Sequence, residues 1–259
     1  MPLLAVPPDL RGVIGAALSY REDIPMEAAV SERVLPDGAV RIVVDLSHPT
    51  VLPHIAVVGP RTTPALVRLS GRMEGLSLTL TPAASMTVLG VPVGEIAGRA
   101  VPLSGLWGAP AGVLAERLHA TGHDHERGAL LWACLRARLA GRDDRAPPAL
   151  LHAVAGATQR APGRVRDCAA ALGVGERRLQ QLCRDHLGLG PRSIGRLHRL
   201  HGLLRALRSV ARPHWATLAL DHGYCDQAHL AREFQHFTGL TPTDYRRRTI
   251  SAVPKTDAG

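Results

Sequence analysis

Several things are scarce in this chain, and each scarcity excludes something. Of 31 basic residues only one, Lys255, is lysine. The positive charge is therefore carried by guanidinium, which stays ionised and offers planar, paired donors. Aromatic residues make up 3% of the 259 positions, so Leu, Val and Ala must fill any core. The four cysteines, Cys134, Cys168, Cys183 and Cys225, form no CxxC pair. That argues against a zinc ribbon or a thioredoxin-like redox motif and fits small buried thiols. The start, Met1-Pro2-Leu3-Leu4-Ala5-Val6-Pro7-Pro8, lacks a basic segment and a long apolar run, so it does not read as a secretory leader. The uncharged run worth testing as a membrane span, 75–94, is interrupted by Pro82, Pro92 and several Ser and Thr, so a span is not expected. A cytoplasmic protein without a membrane partner is expected.

What is present is unevenly placed. Residues 1–148 hold 14 Arg and 14 acidic residues and are neutral. Residues 149–259 hold 16 Arg, Lys255 and 8 acids, and so carry the whole net charge of +9. A basic module joined to a neutral one points to nucleic acid or another anionic surface as the partner of the second half. Gly141-Arg142-Asp143-Asp144-Arg145-Ala146-Pro147-Pro148 reads as the linker, giving expected domains of 1–145 and 146–259.

The two halves differ in hydrophobic period. Leu76-Ser77-Leu78-Thr79-Leu80-Thr81 alternates with period two, and 39–46 and 55–58 read as further strands. Stretches 13–20 and 65–69 are weaker strand candidates. After Trp107 the period becomes helical, with Val113, Leu114 and Leu118, then Leu130, Leu131, Cys134, Leu135 and Leu139. The expected fold class is α+β. A β-rich barrel or sandwich-like N-terminal domain with trailing helices precedes an all-α domain of two helix-turn-helix units joined by a long helix. Trp107 and Trp132 could line an effector pocket, although Trp132 on an apolar stripe is more simply a packing residue. His119, His123 and His125 invite a metal reading, but Gly122 interrupts their helix and no cysteine is near, so neither metal nor cofactor is expected.

The basic half contains an internal repeat. Ala169 and Gly173 match Ala219 and Gly223 at an offset of 50; Leu179, Cys183, Gly188 and Pro191 match Leu230, Phe234, Gly239 and Pro242 at an offset of 51. Each copy reads as a short helix, a glycine turn and a longer helix ending at glycine. The small Ala admits a close crossing, and the Gly permits a sharp turn. A helix over 192–208, with Ile194, Leu197, Leu200, Leu203, Leu204 and Leu207 on one stripe, would join the copies. Asp226 is placed to cap a helix starting at Gln227, and Thr241-Pro242 to open a last short helix through Tyr245.

The run Gly223-Tyr224-Cys225-Asp226-Gln227-Ala228-His229-Leu230-Ala231-Arg232-Glu233-Phe234, followed by Gly239-Leu240-Thr241-Pro242-Thr243-Asp244-Tyr245-Arg246, resembles the signature of AraC/XylS-type transcriptional regulators. The resemblance covers roughly 149–248, more weakly in its first unit. Leu35-Pro36-Asp37-Gly38 and Val101-Pro102-Leu103 resemble the β-rich sensor-like domain that precedes this module in one branch of the family. The resemblance implies that each unit's second helix enters the major groove. It implies promoter DNA and RNA polymerase as partners, an activator among the roles, and a small-molecule effector for the front domain. The oligomeric state stays open, a dimer being one option. The family usually has Arg at the position of Gln181 and a bulky aromatic at that of Cys183. These departures imply a first unit that grips phosphate less and packs more loosely.

Candidate DNA-contacting residues are Arg177, Arg178, Gln180, Gln181 and Arg184 in the first unit. In the second they are Gln227, Ala228, His229, Arg232 and Gln235, with Arg246 near the C-terminus. Arg can pair with guanine and Gln with adenine. Two other functions are alternatives. An adaptor could use the basic helical face to bind an acidic protein. A DNA-repair methyl acceptor would need a reactive cysteine cluster in the front half, which holds only Cys134. No paired carboxylates, Ser/His/Asp pattern or phosphate loop suggests another enzyme.

Overall fold

The computed structural model describes residues 3–48, 54–141, 165–210 and 212–251. The linker expected over 141–148 lies, but for Gly141, outside them. Five antiparallel strands form the main sheet, in the order β1-β6-β3-β4-β7. These are β1 (Ile14–Ile24), β3 (Val40–Asp45), β4 (His54–Val58), β6 (Gly71–Leu80) and β7 (Ala100–Pro102). The other two, β2 (Val30–Val34) and β5 (Ala65–Leu69), pair with each other as a separate ribbon. The front half is thus a sheet with a ribbon beside it; no ladder among the described residues closes the strands into a barrel.

Alternation decides which face of the sheet is covered. Val40, Ile42 and Val44 of β3, Ile55 and Val57 of β4, and Leu76, Leu78 and Leu80 of β6 are all buried. They pack in one core with helices α1 (Pro82–Leu89), α3 (Ala109–His119) and α4 (Asp124–Leu139). A short α2 (Ser104–Trp107) leads into α3. Trp107 and Trp132 both belong to this core, and the Trp107 indole donates to the Val88 carbonyl at 2.9 Å. The helix α1 was not apparent from sequence. Ala84, Ser85, Thr87, Val88 and Leu89 are all buried, so the segment is covered on most sides and shows no single-sided apolar stripe.

One buried acid ties strands to helices. Glu74 on β6 is 4% exposed. It accepts from Arg127 of α4 and from Arg21 of β1, both at 2.8 Å, and also from Arg72. Burial pushes its carboxyl up, but the three guanidiniums outweigh that and hold it down to about 2.

The rear half is helical: α5 (Val165–Ala171), α6 (Glu176–Leu182), α7 (Pro191–Ser209), α8 (Trp215–Asp221), α9 (Gln227–Thr238) and α10 (Pro242–Ser251). A π-helical turn, Cys183–Leu187, continues α6. The last helix runs six residues past Tyr245, the end expected from the sequence.

Replacing Glu74 with Gln is expected to lower unfolding free energy by about 2 kcal/mol at pH 7. A depressed carboxyl stabilises the fold above the ordinary value of 4.5, and that contribution is lost as pH falls toward about 2. Urea titrations of both proteins from pH 7 to pH 3 should therefore show the gap shrinking below about pH 4.5. A gap that does not change with pH would contradict the ion cluster.

Candidate nucleic-acid interface

The two copies of the repeat fold alike, because the same residue types meet the same demands. Gly173 and Gly223, in the turns, have φ of 63° and 74°. Gly188 and Gly239, which end the second helices, both have φ of 69°. A left-handed residue at this position satisfies the last helical carbonyls, and only glycine takes it without steric cost. Ala169 and Ala219 are 2% and 0% exposed where the helices of each unit cross. Pro191 and Pro242 each occupy the first position of the helix that follows.

The copies differ in how firmly they are built. Asp226 caps α9, its Oδ1 accepting from the His229 amide at 2.6 Å. The corresponding position before α6 is Gly175, which has no side chain to offer. Phe234 is fully buried and meets Tyr245 edge-on at 5.3 Å. Its counterpart Cys183 is equally buried, but in a smaller cluster of Cys168, Ala169, Leu179 and Ile194. The helix widens into the π turn at Cys183, where the bulky aromatic is missing. Burial, with Cys168 nearby, pushes the Cys183 thiol up to about 12. Burial also raises Cys134. Protonated thiols are poor nucleophiles, which argues against the methyl-acceptor reading.

An ion cluster fastens α9 to the connecting helix α7. Glu233 is 8% exposed. It accepts from Arg196 Nε at 2.7 Å and from Arg199 Nη2 at 3.1 and 3.2 Å. Arg196 also lies over the Phe237 ring, 4.9 Å from its centroid. Burial pushes the Glu233 carboxyl up, but Arg199 and Arg196 more than offset it and keep the acid ionised.

The exposed faces hold most of the residues expected to meet DNA. On α6 and its continuation, Arg177, Arg178, Gln181 and Arg184 are exposed and Gln180 is half-buried, while Leu179, Leu182 and Cys183 face inward. Gln181 donates to Asp185 at 2.8 and 2.9 Å, and Arg184 reaches back to Gln180. On α9, Gln227, Ala228, Arg232 and Gln235 are exposed along one side. His229 is placed differently. Its Nδ1 accepts from the Cys225 amide at 3.2 Å and its Nε2 lies 3.5 Å from Glu233, so the ring braces the turn. Arg246 also turns inward and donates to the carbonyls of Leu207 and Val210, both at 2.6 Å. It closes the C-terminus of α7 and does not join the exposed face of α9.

The sequence reading missed Arg192. It is exposed in the first turn of α7 and shares an open concavity with Glu176, Gln180 and Arg184. Its signal was the Gly190-Pro191 pair, which fixes where α7 begins.

Residues 168–248 match the model of a helix-turn-helix domain. Residues 5–102 match a domain of unknown function. No curated protein matches the chain. Among solved structures the chain is similar to ToxT from Vibrio cholerae, with 9% identity over 89% of this chain and 97% of that chain and a TM-score of 0.42. ToxT from Vibrio cholerae O395 is similar at 9% identity over 89% of this chain and 96% of that one, with a TM-score of 0.43. With the repeat positions from Ala169 to Pro242 and the signature from Gly223 to Arg246 inside the matched segment, residues 168–248 are a helix-turn-helix domain of the AraC type.

Proposed function

We propose that the chain is a sequence-specific transcriptional regulator whose two helix-turn-helix units read successive major grooves, with the neutral front domain modulating the grip. The proposed domains are 1–145 and 146–259. One observation carries the reading: two units of the same design present Arg- and Gln-bearing helix faces and are joined by a single helix. The helix α7 has 19 residues and so spans about 28 Å at 1.5 Å per residue. That length suits units whose second helices enter grooves about 34 Å apart.

The side chains divide into two roles. Arg232, Arg184 and Arg192 supply phosphate contacts, which set affinity and its salt dependence. Arg177, Arg178, Gln180, Gln227 and Gln235 are placed to meet base edges, and Ala228 to meet a thymine methyl. Gln181 acts partly through Asp185. Promoter DNA and RNA polymerase are the partners that accompany this reading.

Selection from random DNA should enrich one motif of about 20 base pairs. Arg232→Ala should weaken binding to all sequences and lower the salt slope by about 1. Gln180→Ala should instead relax preference at one base pair by about 1–3 kcal/mol. Recovery of no motif would overturn sequence-specific binding and favour a basic adaptor. Equal losses across all sequences for both variants would remove Gln180 from base reading.

A further inference from the structure

The two copies of the repeat carry opposite polarity at one matched pair of positions. At the offset of 51, Gln181 and Asp185 of the first unit correspond to Arg232 and His236 of the second. Gln181, Arg232 and His236 are exposed, and Asp185 is half-buried. The second unit thus pairs a guanidinium with an imidazole one turn later. The first unit pairs an amide with an acid.

An acid is out of place there on two counts. Asp185 sits in the π turn at the C-terminal end of the helix, where the helix dipole already disfavours negative charge. It also stands on the side of the unit that would face phosphates. The neighbouring guanidinium does not offset it. Arg184 turns back along the helix, its Nε 3.4 Å from the Gln180 carbonyl and its Nη2 3.5 Å from Gln180 Oε1.

What Asp185 holds is an amide. Gln181 Nε2 donates to Oδ1 at 2.8 Å and to Oδ2 at 2.9 Å. An ionised carboxylate only accepts, so the amide must face it with nitrogen and not with oxygen. The donor side of Gln181 is therefore engaged, and Oε1 is left as the group that can meet a base. A free glutamine reads adenine with both groups, accepting from N6 and donating to N7. A glutamine whose nitrogen is held cannot complete that pair. Guanine and thymine offer only acceptors in the major groove, and adenine sets its N7 acceptor beside N6. Cytosine alone offers a donor, N4, with no acceptor next to it. The Asp185 charge repels base acceptors and favours a donor, which points to the same base.

We propose that Gln181 reads cytosine by accepting from its N4 amino group, and that Asp185 is the positioning residue that sets this choice by holding the amide nitrogen. The assignment rests on the reading of this domain as one that selects DNA sequences. It makes the first unit a discriminating one in spite of its uncapped helix and smaller core, while the second unit presents Arg232 to phosphate at the matched position.

The test is selection from random DNA with the full chain and three variants. Gln181→Ala marks the base pair that Gln181 reads, as the one whose preference it removes. The wild type is expected to favour cytosine there by about tenfold over each other base. In Asp185→Ala the freed amide can make the two-bond adenine pair, so adenine should gain on cytosine by about tenfold at that base pair alone. A merely structural role for Asp185 would change affinity for all sequences and leave this preference untouched. Asp185→Lys should turn the amide over, oxygen toward the ammonium, and move the preference to guanine. Thermal unfolding of each variant reports whether it folds; if Asp185→Ala does not, Asp185→Lys, whose charge suits a helix C-terminus, decides the role of Asp185. In the free chain, the side-chain amide resonances of Gln181, assigned by their absence from Gln181→Ala, should shift in Asp185→Ala or Asp185→Lys. A wild-type preference for any other base overturns the cytosine assignment. A Gln181→Ala motif identical to that of the wild type overturns Gln181 as a reader. Cytosine retained in a folded Asp185 variant, or amide resonances that do not move, overturns Asp185 as the positioning residue. Recovery of no motif by the wild type overturns the DNA-binding reading and the base assignment with it, whereas shifted amide resonances in the same chain would leave the Gln181–Asp185 contact standing.

Discussion

The Glu233 carboxylate, buried between Arg196 and Arg199, fixes the second recognition helix to the helix that joins the two units. Much else depends on this contact. A buried acid with two donors cannot shift along α7 without leaving a charge unmet, so the cluster favours one angle between α9 and α7. Phe237 under Arg196 and Phe234 against Tyr245 fill the space that this angle leaves. The result is a second unit with a side-chain cap, an aromatic core and a fixed attachment. The first has a glycine at its cap position, a thiol where the second has Phe234, and a π turn at that point.

That asymmetry gives the front domain different work at the two ends. The π turn packs against α1 and against the short turn Val93–Ile96 of the front half. The weaker first unit is therefore braced from outside, where the second is braced by its own core. Both helices end in a left-handed glycine, and both glycines lie against the same short connection of the front domain. Under the proposed function, holding the two helices at equivalent points would keep their separation fixed.

The rear half was legible in the sequence for a physical reason. Each of its turns requires a particular residue: glycine at positive φ, small alanine at a crossing, proline at a helix start. These demands leave a spaced pattern that survives in both copies. The strands Val40–Asp45 and Gly71–Leu80 were legible because one face is buried and alternation follows. Strand Val30–Val34 was not, since Ser31, Glu32 and Arg33 interrupt it and its ribbon leaves both faces partly exposed. Among the candidate contacts, exposure of Arg177, Arg178 and Arg232 followed from helical period. The inward turns of Arg246 and His229 did not, because they depend on where Leu207, Val210, Cys225 and Glu233 fall in three dimensions.

The central claim is that one chain grips DNA at two points whose separation the connecting helix fixes. Hydroxyl-radical footprinting of the full chain on its selected site tests it most directly. The account predicts two protected patches centred about 10 base pairs apart on one face of the duplex, at one chain per site. A single patch, or two patches related by a dyad and requiring two chains, would contradict it.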